Sequence, residues 1–135
     1  MNLPPENDEP TPEQTQEILV DVNGRILSSD DQIFSTVPFR RKDHLLDAFP
    51  LLDSIFDSLL SMSAHDPALC FKAVSPTYHG LNGFFDFEFQ RSFLDSDLHI
   101  HWLIFDFTSF YKRNRLHQQK TNEWYLNYNL HNPVK

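Results

Sequence analysis

The chain has 135 residues, eleven Lys and Arg against nineteen Asp and Glu, a net charge of −8, and thirteen Phe among its aromatics. That length holds one domain around one core. The negative balance speaks against the clustered basic face that nucleic-acid phosphates require, and equally against binding an anionic membrane surface.

Residues 1–10 place Pro4, Pro5 and Pro10 among Glu6, Asp8 and Glu9. Such a segment buries too little apolar area to offset its ordering entropy, so a disordered lead-in is expected. It has neither the basic start nor the apolar run of a signal peptide. Thr11, Pro12 and Gln14 carry the cap, first-turn and third-position pattern of a helix start, which predicts a short helix there. Two β-prone runs, Ile18 to Val22 and Arg25 to Ser28, are joined by Asn23-Gly24, the strongest short hairpin signal, with both turn residues expected at positive φ. Ser29-Asp30-Asp31-Gln32 repeats the capping pattern and predicts a short helix to about Thr36, before Pro38.

Residues 43–63 read as helix interrupted at Pro50. Leu52, Ile55, Phe56 and Leu59 lie at i, i+3, i+4 and i+7, one apolar stripe on a helix from about Pro50 to Ser63, with Pro50 in the first turn where its missing N–H costs nothing. Three β runs follow, at about Leu69–Tyr78, Gly83–Phe93 and Leu98–Thr108. In the second, Phe85, Phe87, Phe89 and Phe93 share one face and Asp86, Glu88, Gln90 and Ser92 the other. In the third both faces are largely apolar, Ile100, Trp102 and Ile104 against His99, His101, Leu103, Phe105 and Phe107, so a central strand covered on each side is expected. Asp95-Ser96-Asp97 turns the second run into the third. From Ser109 onward the chain reads as a long exit helix before Pro133. Leu116 and Leu130 fit a heptad position there, but Glu123 between them does not. No stretch reaches the roughly 18 apolar residues of a membrane span. The order of elements defines an α+β fold, a five-stranded antiparallel sheet with helices on one face, as a domain over residues 11–108 followed by a helical segment over 109–135.

Three stretches in this order resemble the PAS family of sensory domains. Val20-Asp21-Val22-Asn23-Gly24-Arg25-Ile26 is similar to that family's opening hairpin. Asp47-Ala48-Phe49-Pro50 is similar to the segment before its long helix, and Phe105-Asp106-Phe107-Thr108 to the Asp-x-Thr that closes the last strand and starts a signalling helix. The resemblance covers about residues 17–120. It implies a PAS-like sensor within a two-component histidine kinase or related receptor, acting as a cytoplasmic homodimer with a downstream signalling domain or partner. Signal relay through Asp106, Phe107 and Thr108 is implied as well, without chemistry in the module itself. Residues 122–134 are similar to the phosphoacceptor helix of sensor histidine kinases, with Tyr128 at the position of the phosphorylated His. Flavin and haem are not expected: the flavin-attaching Asn-Cys-Arg-Phe-Leu-type motif is missing, and no His lies between Pro50 and Ser63.

The candidate residues each have a plainer reading. Phe85, Phe87, Trp102 and Ile104 would line a ligand pocket, but Phe of this density more readily makes filled core. His101, Leu103 and Phe105 lie on the strand face expected to meet a flanking helix or a second protomer, where His99 and His101 would make association pH-sensitive. The same two His on one strand face are the only start of a metal site, for a small metal-dependent enzyme or binding protein. Asp86 and Glu88 would be their nearest carboxylates, and a site without a complete ligand set is the weaker reading. Cys70, the sole cysteine, can form no intramolecular disulfide and is expected to be a buried, inert thiol between Leu69 and Phe71. No glycine-rich phosphate loop or nucleophile motif is present, so the module is read as non-catalytic.

Overall fold

The computed structural model describes residues 10–40, 44–63, 65–78 and 80–114. Residues 1–9 of the expected lead-in, the heptad positions Leu116 and Leu130, and Tyr128 lie outside the described residues. Five strands, β1 (Thr15–Val20), β2 (Ile26–Ser29), β3 (Leu69–Val74), β4 (Phe85–Leu94) and β5 (Asp97–Asp106), form one sheet in the order β2-β1-β5-β4-β3. Every neighbouring pair is antiparallel. The fold class is therefore α+β, with an open five-stranded antiparallel sheet and a few helices.

β5 is the middle strand, as its two apolar faces predict. Its inward residues Ile100, Trp102 and Ile104 are fully buried. The long β4–β5 hairpin is closed by Asp95 and Ser96, both at positive φ. β1 lies on the other side of β5, in register from Thr15 opposite Phe105 to Val20 opposite Ile100. That pairing joins the two ends of the domain.

The helices α1 (Leu45–Ala48) and α2 (Pro50–Ser61) break at Phe49, with Pro50 opening the second helix as the sequence predicts. Of the expected stripe, Leu52, Phe56 and Leu59 are buried and Ile55 is half-buried. They share one core with Ile18 and Val20 of β1, Phe85, Phe87 and Phe89 of β4, and the inward residues of β5. Trp102 sits at its centre, edge-on to Phe49 and Phe87 and stacked on Phe89. A second ring cluster, Phe34, Phe39, Phe49 and Tyr78, closes one side. A third helix, α3, starts at 108 and is described to 114. Among the described residues no helix is long and apolar enough to cross a membrane.

Several local expectations are corrected. No helix forms at Thr11–Gln14, because that stretch extends the β1–β5 ladder: the Glu13 N–H donates to the Asp106 carbonyl, and the Asp106 N–H to the Gln14 carbonyl. The first hairpin turns through Val22, Asn23 and Gly24 rather than through two residues. Asp21 accepts from the N–H groups of Asn23 and Arg25, so only Gly24 is at positive φ, +81°. No helix follows Ser29 either. Its Asp residues cap turns instead, Asp31 taking both the amide and the hydroxyl of Thr36, and the chain then makes a short 3₁₀ turn at Val37–Arg40. β3 stops at Val74, short of Tyr78, after an irregularity in its pairing with β4 at Ala73, which has φ +56°. Phe93 keeps the inward parity of β4 but is 53% exposed, since the hairpin runs past the end of the core. The far face of β5 is only half-buried, at Leu103, Phe105 and Phe107; the described helices contribute to the core on the opposite face.

Candidate functional site

A dense polar network ties the end of β5 to the start of α3. Asp106 ends the strand, and its Oδ1 accepts from both the backbone N–H of Thr108 at 3.0 Å and the Thr108 hydroxyl at 2.6 Å. A short acidic side chain ahead of a helix satisfies first-turn donors that have no partner within the helix. The Thr108 hydroxyl in turn accepts from the Phe84 N–H at 3.1 Å, and the Phe107 N–H donates to the Phe84 carbonyl. The approach is close enough to require glycine at 83. A Cβ there would stand 2.1 Å from Thr108 Oγ1, and the φ of +141° is itself unfavourable for other residues.

Two further groups hold α3. Glu13, from the stretch that extends β1, accepts from the Ser109 N–H at 2.8 Å. Hydrogen bonds from the Ser109 hydroxyl and amide lower its carboxyl from the ordinary value. One turn along, the Tyr111 hydroxyl donates to Asp86 Oδ1 at 2.6 Å, and the same oxygen accepts from the N–H of Ala73 at 3.0 Å. Asp86 thus joins the irregular end of β3 to α3 across β4. Desolvation, and then the hydrogen bond to Asp86 and its charge, push the Tyr111 phenol up to about 12, so it is a neutral donor throughout the physiological range. Of the expected relay residues, Asp106 and Thr108 are brought together directly. Phe107 packs its ring against Phe105, Phe110 and Tyr111.

Sequence reasoning missed Glu13, Gly83 and Tyr111, and saw Asp86 only as a potential ligand. Their pairing depends on which strands are neighbours, which no local pattern shows. Gln16 was missed although it carried a signal, since it shares the inward parity of Ile18 and Val20. It is fully buried, and its Oε1 accepts from the N–H groups of Ile33 and Phe34 while its Nε2 donates to Ser29 Oγ and the Phe34 carbonyl. The loop after β2 hangs on this side chain. In the same loop desolvation opposes ionisation of Asp31, but hydrogen bonds from Ser29 and Thr36 outweigh it and lower its carboxyl.

The other candidates are placed as follows. Phe85 and Phe87 are 2% exposed and Trp102 and Ile104 fully buried, all four in the core. Phe87 also lines a cleft of about 140 Å³ with Phe49, Pro50, Leu51, Val74 and the 75–77 segment. His101, Leu103 and Phe105 lie half-buried on the opposite face of the sheet, where the His101 imidazole hydrogen-bonds to Glu17. Among the described residues no group of three or more His, Cys, Asp and Glu side chains is placed to hold a metal ion, so His99 and His101 acquire no further ligands there. Cys70 is exposed rather than buried, because Leu69 and Phe71 take the inward positions of β3 and it faces out. Partial desolvation and then the Glu88 carboxylate push its thiol up, which keeps it protonated.

Comparison with protein-family models, with curated proteins and with solved structures finds no match to this chain.

Proposed function

We propose that the chain is a cytoplasmic, non-catalytic sensory module of the PAS type, which binds a small ligand or a partner and passes a change in sheet packing to its C-terminal helix. The observation that carries this reading is the junction at Asp106–Thr108. The central strand runs into α3 without a loop, and Asp106, Phe84 and Gly83 fix the first turn of that helix to β4 and β5. A shift of β4 against β5 therefore re-aims the helix, which is the two-position element a relay needs. The resemblance of Asp106-Phe107-Thr108 to the Asp-x-Thr of PAS domains supports the same role. So does the α+β sheet with its exit helix.

In this reading the module works as a homodimer, with His101, Leu103 and Phe105 on the sheet face that meets the second copy or a flanking helix. It stands ahead of a downstream signalling domain in a two-component sensor kinase. The half-buried apolar residues Leu19, Leu103 and Phe105 on neighbouring positions of β1 and β5 support such a contact.

Hydrogen exchange on the Asp106→Ala variant tests the relay. The expected result is a tenfold or greater loss of protection over 108–114 with the amides of 100–104 unchanged. An equal loss in both segments would reduce Asp106 to a general stabilising residue. Unchanged protection over 108–114 would remove the junction from the account.

A further inference from the structure

We infer that residues 115–135 of this chain fold back onto the outer face of the sheet, with apolar side chains on Leu103 and Phe105 and with Arg115 and Lys120 against the carboxylates that border them. This deepens the sensory reading, on which it rests, by giving that face to the chain's own segment in place of a second copy.

Strand register lays out the face. Glu17 of β1 and Glu88 of β4 stand on either side of Leu103, and Asp86 stands beside Phe105. Asp30 follows β2 and accepts from the Glu17 N–H, which adds another negative charge on that side. The cation of β3 is Lys72, at the edge of the sheet. Leu103 and Phe105 are half-buried, and toward the β4–β5 hairpin the face continues as an open trough of about 530 Å³ along Leu19, His101 and Leu94. An apolar strip flanked by carboxylates fits a segment that is both apolar and basic. A second copy would instead bring the same carboxylates to the face again, and like charges brought together disfavour that contact.

The chain carries a segment of the required kind. Residues 112–135 have five Lys and Arg and one acidic residue, Glu123, whereas residues 1–111 have six and eighteen. The net charge of −8 therefore combines an acidic body with a basic end. The same end holds Leu116, Trp124, Tyr125, Leu126, Tyr128 and Leu130. α3 brings it to the correct side of the sheet. Tyr111 donates to Asp86, an outward residue of β4, and the ring of Phe107 packs on Phe105 and Phe110. Arg115 follows Tyr111 by about one helical turn, so the basic segment starts beside the strip. Tethering makes its docking intramolecular, at an effective concentration that a free partner of the same chemistry does not reach.

Cys70 makes the inference testable. It is the sole cysteine, is exposed, and lies on this face opposite Glu88. A nitroxide attached to it in the ¹⁵N-labelled full chain broadens the signals of nearby protons, and the two tryptophan indole N–H signals report the outcome. A Trp124→Phe variant tells them apart. Trp102 pairs with Phe89, which pairs with Leu69 next to Cys70, so its signal is lost whenever label and isotope share a chain. The expected result is loss of the Trp124 signal as well. In a mixture of isotope-labelled chains without nitroxide and nitroxide chains without isotope, both signals should persist. Arg115→Glu with Lys120→Glu should restore the Trp124 signal, as should Glu17→Lys with Glu88→Lys, and combining the two pairs should remove it again. A Trp124 signal that persists in the natural chain would overturn the inference. So would a loss that survives Arg115→Glu with Lys120→Glu, a pair that follows the last strand in sequence, or a combined variant in which the signal stays visible. Loss in the mixed sample would give the face to a second copy, which also overturns it. None of these failures alters the exchange behaviour of Asp106→Ala, so they are separable from failure of the relay.

Discussion

Single side chains carry much of the organisation, and three of them give direct tests. Gln16 supplies four hydrogen bonds from a fully buried position, so Gln16→Ala strands the backbone donors of Ile33 and Phe34. The expected cost is about 1–3 kcal/mol, read as a lower urea midpoint at unchanged slope; an unchanged midpoint would mean that the loop after β2 does not depend on it. Tyr111 gives a test on the alkaline side. Its phenol titrates at about 12 when folded, against 10.0 ordinarily, so the neutral form is favoured by folding. The sign follows: its contribution is complete below about pH 10, where both states hold the proton, and is lost as pH rises through 12. Absorbance of tyrosinate should show a component near 12 that disappears in Tyr111→Phe, whereas loss of a component near 10 in the variant would contradict the Asp86 bond. Gly83 is the third. Gly83→Ala drives a Cβ into Thr108 Oγ1 and should cost on the order of 1–3 kcal/mol, with α3 the first segment to lose exchange protection.

At the scale of elements, what was legible in the sequence were the patterns with a period. The Phe alternation of β4, the stripe on α2 with Pro50 at its head, and the two apolar faces of β5 each specify an element and the side it buries. Where the reading failed, a longer-range contact had overridden a local signal. Thr11-Pro12 has a helix-start pattern, yet Glu13 and Gln14 gain backbone bonds to Asp106 that a one-turn helix could not match. Ser29-Asp30-Asp31-Gln32 has cap residues, but the amides that a helix would use at Ile33 and Phe34 are taken by Gln16. The candidate site was half legible for the same reason: Asp106 and Thr108 are near in sequence, whereas Glu13 reaches Ser109 and Asp86 reaches Tyr111 only once β1, β4 and β5 are neighbours. The attachment of α3 has a pH dependence of its own. Glu13 is lowered by its bonds from Ser109, so its hold on the helix is complete above the ordinary carboxylate value and is lost as pH falls through the lowered one. Exchange protection of Ser109 should therefore decline toward acid pH in the natural chain and be pH-independent in Glu13→Ala, once the intrinsic exchange rate is removed. Parallel profiles would show that Glu13 does not latch the helix.

For the whole molecule, the geometry amounts to one linked path: the irregular end of β3, Asp86 of β4, Tyr111 of α3, and the Asp106–Thr108 lock at the end of β5. Such a path transmits only if perturbing one end changes the other through the named link, and spatial proximity alone does not establish it. A double-mutant cycle on exchange protection measures that dependence. Val74→Ala loosens the last residue of β3, which packs against the core, and Tyr111→Phe cuts the bond to Asp86. Val74→Ala should lower protection over 109–114 in the natural chain but not in the Tyr111→Phe background, a coupling of about 0.5–3 kcal/mol. Strictly additive effects of the two substitutions on 109–114 would contradict it.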